Sequence, residues 1–75
     1  MNSAEETISK FLSTLDVDSS RDVRYICKCQ RSSCHCVCGQ KIETAHLFQN
    51  KRNKKECYVG KNCIRFIAEY LGWND

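Results

Sequence analysis

The chain has 75 residues, seven of them cysteines, and a formal net charge of +3. A single domain of this size has a small core and generally needs disulfides, a structural metal or a partner for stability. The odd cysteine count, the C-x-C spacing and an N-terminus without an apolar run argue against a secreted disulfide scaffold, and no stretch is apolar enough to span a membrane. We therefore expect metal-bound thiolates in a reducing intracellular compartment, the cytoplasm or the nucleus.

The charge is concentrated in the middle of the chain. Residues 1–22 carry two basic and five acidic side chains, residues 23–65 carry ten basic and two acidic ones, and residues 66–75 carry two acidic ones. The segment that contains all seven cysteines therefore has a net charge of +8 between two acidic ends. Metal-bound thiolates would offset part of this positive charge.

The first predicted element is an amphipathic helix over residues 3–16. Ser3 and Glu6 have the spacing of a capping box at its start. Four apolar residues then follow at helical spacing, namely Ile8, Phe11, Leu12 and Leu15. We expect this stripe to pack on the rest of the domain, and the alternative is a helix that binds a protein partner.

Alternating residues predict β-structure in the middle of the chain. The first strand covers Asp22–Gln30 and places Tyr25, Cys27 and Cys29 on one face, and Arg31–Ser33 should form a turn. The run of cysteines then ends at Cys38 and Gly39, where glycine can adopt a positive φ.

A β-hairpin is expected after Gly39. Its strands lie in Lys41–Gln49 and Lys55–Val59, and a polar turn joins them. If the hairpin closes symmetrically around Lys51 and Arg52, His46 lies directly opposite Cys57.

The last predicted element is a helix over residues 61–71. Apolar residues recur at helical spacing from Cys63 to Leu71, and Gly72 is a natural stop. Cys63 falls in the first turn of this helix, where the helix N-terminus stabilises a thiolate.

The order of cysteine knuckle, β-hairpin and helix with a cysteine at its start is that of a treble-clef zinc finger. The predicted fold is therefore a small α+β domain over residues 1–75, with an N-terminal helix and strand added to a cysteine-rich core at 22–60. Zinc prefers four nitrogen or sulfur ligands in a tetrahedron, and a turn and a helix terminus joined by a hairpin can meet at such a point.

The segment "CVCGQKIETAH…ECYVGKNCIRFI" resembles a zinc-finger pattern found in proteins of large DNA viruses, phages and some bacteria. That pattern has a knuckle followed by an isoleucine, often a histidine, and then a V-G-x-x-C-I signature. Gly39, Ile42, Val59, Gly60 and Ile64 match it beside the cysteines. The resemblance implies a zinc-binding module and a viral protein in an infected host cell, but no single activity.

The resemblance implies a first metal site made of Cys36, Cys38, His46 and Cys63. Cys57 could replace His46 as the third ligand along the chain. Four further thiols are enough for a second, all-cysteine zinc site, namely Cys27, Cys29, Cys34 and Cys57. The alternative is that some of these thiols are small buried hydrophobes.

A basic loop at the hairpin tip is the second functional candidate. The hairpin should hold four cationic side chains out toward phosphate groups, namely Lys51, Arg52, Lys54 and Lys55. The alternative is a solvated turn that keeps the protein soluble.

These features predict a zinc-binding protein that contacts nucleic acid and acts in the regulation of gene expression or in nucleic-acid processing. The competing hypothesis is a zinc-stabilised adaptor for a polymerase or assembly partner, docked through the N-terminal helix or a basic face. Metal storage is opposed by the aromatic residues and the amphipathic helices, and thiol redox catalysis by the lack of a C-x-x-C motif. We expect no enzymatic activity, no small-molecule substrate and no membrane contact.

Overall fold

The structure is a computed structural model that describes residues 4–72, apart from the side chains of residues 31–33. It is a small α+β fold with two helices and one three-stranded antiparallel sheet. Helix α1 covers Ala4–Leu15, and a 3-10 turn at Ser20–Asp22 leads into the sheet. The remaining elements are strand β1 (Val23–His35), strand β2 (Lys41–Asn50), strand β3 (Glu56–Gly60) and helix α2 (Ile64–Leu71).

Helix α1 buries its predicted stripe against the sheet and α2. Phe11 and Leu15 are fully buried, and the ring of Phe11 meets that of Phe48 edge to face at 5.1 Å. The predicted packing of this stripe on the rest of the domain is therefore confirmed. The helix ends because Asp16 takes a positive φ of 54°, and the predicted cap at Ser3 lies outside the described residues.

Strand β1 is longer and more irregular than the sequence predicts. Tyr25 pairs with Phe48, but Cys27 pairs with Leu47, so one extra residue is inserted at Ile26. Because adjacent β2 residues point to opposite faces, this bulge places Tyr25 and Cys27 on opposite faces. The predicted common face of Tyr25, Cys27 and Cys29 is therefore wrong.

The predicted turn at Arg31–Ser33 is also absent, because β1 continues to His35. The extra residues are absorbed as a second irregularity between the Gln30–Thr44 and Cys34–Ile42 pairs. Strand β1 therefore reaches the cysteine knuckle directly.

The β2–β3 hairpin closes one residue later than expected, between Arg52 and Asn53, so its pairs are shifted by two residues. His46 lies opposite Val59, and Cys57 lies opposite Phe48, so the predicted pairing of His46 with Cys57 is wrong. The asparagines of the loop cap it: Asn50 Oδ1 accepts the Arg52 N–H at 2.9 Å and Asn53 Oδ1 accepts the Lys55 N–H at 2.8 Å.

Helix α2 begins at Ile64, three residues later than the predicted start at residue 61. Residues 61–63 form a turn in which the Cys63 N–H donates to the Gly60 carbonyl oxygen at 3.1 Å, so Cys63 is the N-cap. The predicted stop is confirmed at Gly72, which has a φ of 75°. Across residues 4–72, neither helix has the length and apolar character needed to cross a lipid bilayer.

Candidate metal centre

Three of the predicted metal ligands come together at one end of the sheet. The Sγ atoms of Cys36, Cys38 and Cys63 all lie within 4.8 Å of one another. Within residues 4–72, no other set of three or more cysteine, histidine or acidic side chains is grouped this closely. Three sulfurs at this spacing can bind one metal ion.

The knuckle holds Cys36 and Cys38 through a tight backbone turn. The Gly39 N–H donates to the Cys36 carbonyl oxygen at 2.8 Å, and the Cys36 N–H donates to the Gln40 carbonyl oxygen at 2.9 Å. Gly39 has a φ of 96°, which confirms the predicted positive φ. The Val37 N–H donates to the Tyr58 carbonyl oxygen at 3.0 Å and so fixes the knuckle to β3.

Gly60 allows a close approach of Ile42 just before the turn that carries Cys63. A Cβ atom at Gly60 would lie 2.9 Å from Ile42 Cγ2, too close for both to keep their places, and 3.6 Å from Cys36 Cβ, at ordinary contact distance. The Cys63 carbonyl oxygen accepts the Phe66 N–H at 3.0 Å, which starts α2. The metal-binding motif and the packing of the helix therefore depend on the same turn.

Two of the three thiols, those of Cys38 and Cys63, have unlike proton affinities. Burial tends to raise the pKa of Cys38, but hydrogen bonds from the Gln40 backbone and from the thiols of Cys36 and Cys63 outweigh it, and the pKa is lowered. Burial, followed by hydrogen bonds to the sulfurs of Cys36 and Cys38, raises the pKa of Cys63 to about 12. A divalent cation at the centre would supply the charge that allows all three sulfurs to ionise.

His46, the remaining predicted ligand of the first site, does not belong to this group. Its Nδ1 atom is hydrogen-bonded to the Tyr25 hydroxyl at 3.2 Å, and its ring lies 5.9 Å from the Tyr25 ring. Partial burial and then the positive charge of Lys28 lower the pKa of His46. These contacts match a half-buried strand histidine.

The four cysteines of the predicted second site are not brought together within the described chain. Cys57 is buried in the core opposite Phe48, and burial followed by the charge of Cys36 raises its pKa to about 12. Cys34 is also buried, and its thiol donates to the Ile42 carbonyl oxygen at 3.5 Å. Cys27 and Cys29 point to the face opposite Phe48 and Cys57, because their β2 partners are Leu47 and Ala45.

A cleft beside the three-cysteine group was not foreseen from the sequence. It has a volume of about 270 Å³, and Cys36 and Cys63 form part of its wall. Its other polar lining residues come from the start of β2 and from the turn before α2, namely Gln40, Lys41, Glu43, Thr44, Lys61 and Asn62. The one available signal was that Lys41 and Lys61 each lie within a few residues of a cysteine ligand.

The basic loop is exposed but does not stand free of the domain. Arg52 Nη1 lies 3.9 Å from Asp22 Oδ2, and Lys55 Nζ lies 3.8 Å from Asp16 Oδ2. Asn53 Nδ2 also donates to the Leu15 carbonyl oxygen at 3.2 Å. All four cations are exposed, and two of them, Arg52 and Lys55, also face carboxylates at the end of α1 and in the following turn.

Comparisons of the chain with protein-family models, with curated proteins and with solved structures found no match. The type of metal centre is therefore inferred from the residues of this chain and their arrangement.

Proposed function

We propose that Cys36, Cys38 and Cys63 bind one Zn²⁺ ion that stabilises the domain as a treble-clef-like finger. The observation that carries this proposal is the approach of three sulfurs from two separate segments to within 4.8 Å. Adjacent sulfurs around tetrahedral zinc lie about 3.8 Å apart, given zinc–sulfur bonds of about 2.3 Å. Small inward movements of the three side chains would therefore bring three of the four ligands of a tetrahedral site to bonding distance.

Zinc is the metal that this donor set favours in a reducing compartment. Thiolates select zinc, copper(I) and iron–sulfur clusters, whereas magnesium and calcium prefer oxygen ligands. Ligands from a knuckle and from a helix start suit a tetrahedral ion that fixes two segments to each other. The ion would then supply stability that a core of this size lacks.

Metal analysis of the purified protein tests this proposal, with an expected content of one zinc ion per chain. Cys38→Ser should lose most of the bound zinc, whereas Cys27→Ser should retain it because Cys27 is exposed and outside the group. Equal zinc content in the two variants would contradict the assignment. A measured content of two zinc ions per chain would support the second metal site predicted from the sequence.

We further propose that the zinc-stabilised domain contacts nucleic acid through the loop between β2 and β3. Lys51, Arg52, Lys54 and Lys55 are all exposed there, within a segment of strongly positive charge. Lys51 and Lys54 form no ion pair with any described residue, so they are the better phosphate ligands of the four. Such contact would suit a role in regulating gene expression or in nucleic-acid processing.

Two matched double variants test this interface by the salt dependence of binding to DNA and RNA. Lys51→Gln/Lys54→Gln should flatten the log–log salt slope on duplex DNA by about 2 units, at about 0.9 per lost phosphate contact. Arg52→Gln/Lys55→Gln should flatten it less, because Asp22 and Asp16 already lie near these cations. Absence of salt-sensitive binding by the wild-type protein would refute the nucleic-acid proposal.

The second candidate function is that of an adaptor. For this function the edge strand β1 is a better docking surface than the N-terminal helix. The apolar stripe of α1 is packed into the core, whereas Tyr25 and Ile26 on β1 are 39% and 38% exposed. Strand β1 pairs on one side alone within the described sheet, so its outer edge could accept an extended segment of a partner. Loss of partner capture in Ile26→Lys, with zinc content unchanged, would support this function.

A further inference from the structure

The three-cysteine group needs a fourth donor that the described chain does not bring to it. A structural zinc site has four ligands, and a site with three protein ligands takes the fourth from outside the chain. His46 is held by the Tyr25 hydroxyl, and Cys57 is buried opposite Phe48. Neither side chain belongs to the group within 4.8 Å.

The cleft of about 270 Å³ gives an outside donor a route to the centre. Cys36 and Cys63 line it, although each is less than 10% exposed, so two of the three sulfur-bearing residues border an open space. Lys41 and Lys61 also line the cleft. A ligand that enters this cleft would therefore meet the metal centre and two ammonium groups together.

The two lysines of the cleft favour a ligand that carries an anionic group beside them. Zn²⁺ with three thiolates has a net charge of about −1 by counting charges. Lys41 and Lys61 are exposed and form no ion pair with any described residue, and Glu43 is the single acidic residue of the lining. Two lysines against one glutamate leave these side chains at +1, which offsets the charge of about −1 at the metal centre, so the preference for a carboxylate over an ammonium group is local to the two lysines.

From these contacts we infer that the cleft accepts an external anionic thiol, whose sulfur completes the coordination of the metal and whose carboxylate lies near Lys41 and Lys61. Sulfur suits the centre because the three donors already present are thiolates. The inference rests on the proposed zinc site. Binding exchanges a metal-bound water for a thiolate, with the thiol proton released to solvent, so no oxidant or reductant takes part.

Cobalt(II) substitution tests this inference, because each thiolate bound to cobalt adds near-ultraviolet charge-transfer absorption. The charge-transfer absorption of the cobalt protein alone should correspond to three bound thiolates. Saturating 3-mercaptopropionate should raise this absorption by about one third, to the value for four bound thiolates. Cysteamine, of similar size but with an ammonium in place of the carboxylate, should bind about tenfold more weakly at equal thiolate concentration. A non-thiol reductant is used throughout.

The lysine pair supplies the matched variants. Lys41→Gln/Lys61→Gln should bind both thiols with similar affinity, whereas Lys51→Gln/Lys54→Gln, which changes two exposed lysines away from the cleft, should keep the preference for 3-mercaptopropionate. Equal affinity of the wild-type protein for the two thiols would overturn the inference. Unchanged absorption on addition of 3-mercaptopropionate would overturn it as well.

A fourth ligand from the chain is the remaining outcome that would overturn the inference. In that case one single substitution should alter the visible cobalt spectrum of the thiol-free protein. The residues to be changed one at a time are His35, His46, Glu43, Cys57 and Asp75. Such a change would leave the zinc site itself in place, whereas failure of the wild-type protein to bind cobalt or zinc at all would refute the proposed function.

Discussion

Asn50 at the end of β2 donates through Nδ2 to the carbonyl oxygen of Leu15 at 2.9 Å, and so joins the hairpin to the last turn of α1. The same atom lies 3.2 Å from the Asp16 carbonyl oxygen, and the side chain is one of two buried polar groups in the described chain. Helix ends leave carbonyl groups without partners inside the helix. Asn50 satisfies two of them from another element.

Replacement of Asn50 should therefore destabilise the whole domain. We expect Asn50→Ala to lower the free energy of unfolding by about 1–3 kcal/mol, because it removes the buried hydrogen bond to the Leu15 carbonyl oxygen and the bond to the Asp16 carbonyl oxygen. Asn53→Ala should cost less, since Asn53 is exposed and donates to Leu15 at the longer distance of 3.2 Å. Urea denaturation of the zinc-loaded proteins measures both values. Equal losses of free energy in the two variants would show that the buried side chain of Asn50 contributes no more to stability than the exposed side chain of Asn53.

The cysteines should differ sharply in their importance for stability. Cys63→Ser removes one of the three grouped sulfurs, whereas Cys34→Ser changes a thiol that donates to the Ile42 carbonyl oxygen. We expect the first variant to lose its zinc and its cooperative thermal transition, and the second to keep both. Circular dichroism with metal analysis on the same samples checks this. A strong chelator with reductant should reproduce the effect of Cys63→Ser on the wild-type protein.

The sequence predicts the elements well where one local rule decides the structure. The apolar spacing of α1, the positive φ of Gly39 and the stop at Gly72 each follow from the properties of a few neighbouring residues. The grouping of Cys36, Cys38 and Cys63 was also predicted, because the knuckle and the start of the helix form a motif with fixed roles.

Strand register could not be predicted, because it depends on contacts between distant segments. One inserted residue at Ile26 reverses the face of the later β1 residues that pair with β2. The prediction that Cys27 and Cys29 share a face with Tyr25 was therefore wrong. The hairpin register was wrong by two residues because the side chains of Asn50 and Asn53 cap the loop and hydrogen-bond to the end of α1. These same shifts separate His46 from Cys57 and place Cys57 in the core.

His46 should titrate below the usual range of a histidine. Burial and then the charge of Lys28 lower its pKa from 6.5. At a pH between the folded-state pKa and 6.5, His46 is therefore neutral in the folded protein but protonated in the unfolded chain. Stability should therefore decrease as the pH falls from about 6.5 toward the folded-state pKa. Proton NMR of the imidazole ring measures the midpoint. Lys28→Gln should raise the pKa of His46, and a midpoint at or above 6.5 in the wild-type protein would contradict the assigned causes.

A methyl group at Gly60 should disturb the metal centre from outside the ligand set. In Gly60→Ala, the new Cβ atom would lie 2.9 Å from Ile42 Cγ2 and 3.6 Å from Cys36 Cβ. We expect a loss of about 1–3 kcal/mol in the free energy of unfolding, as for other overpacked sites, together with weaker zinc binding. Gly72→Ala is the matched control, because no heavy atom lies within 4 Å of its new Cβ and its cost comes from the φ of 75° alone.

The cause of the Gly60→Ala effect can be separated by a second substitution. Ile42→Ala removes the atom that the new Cβ meets, so the double variant should cost less than the sum of the two single variants. Zinc affinity should recover in the double variant and stay unchanged in Gly72→Ala, which lies at the far end of α2. Strict additivity of the two substitutions would mean that Gly60 is required for the backbone of the turn rather than for the close approach of Ile42 and Cys36.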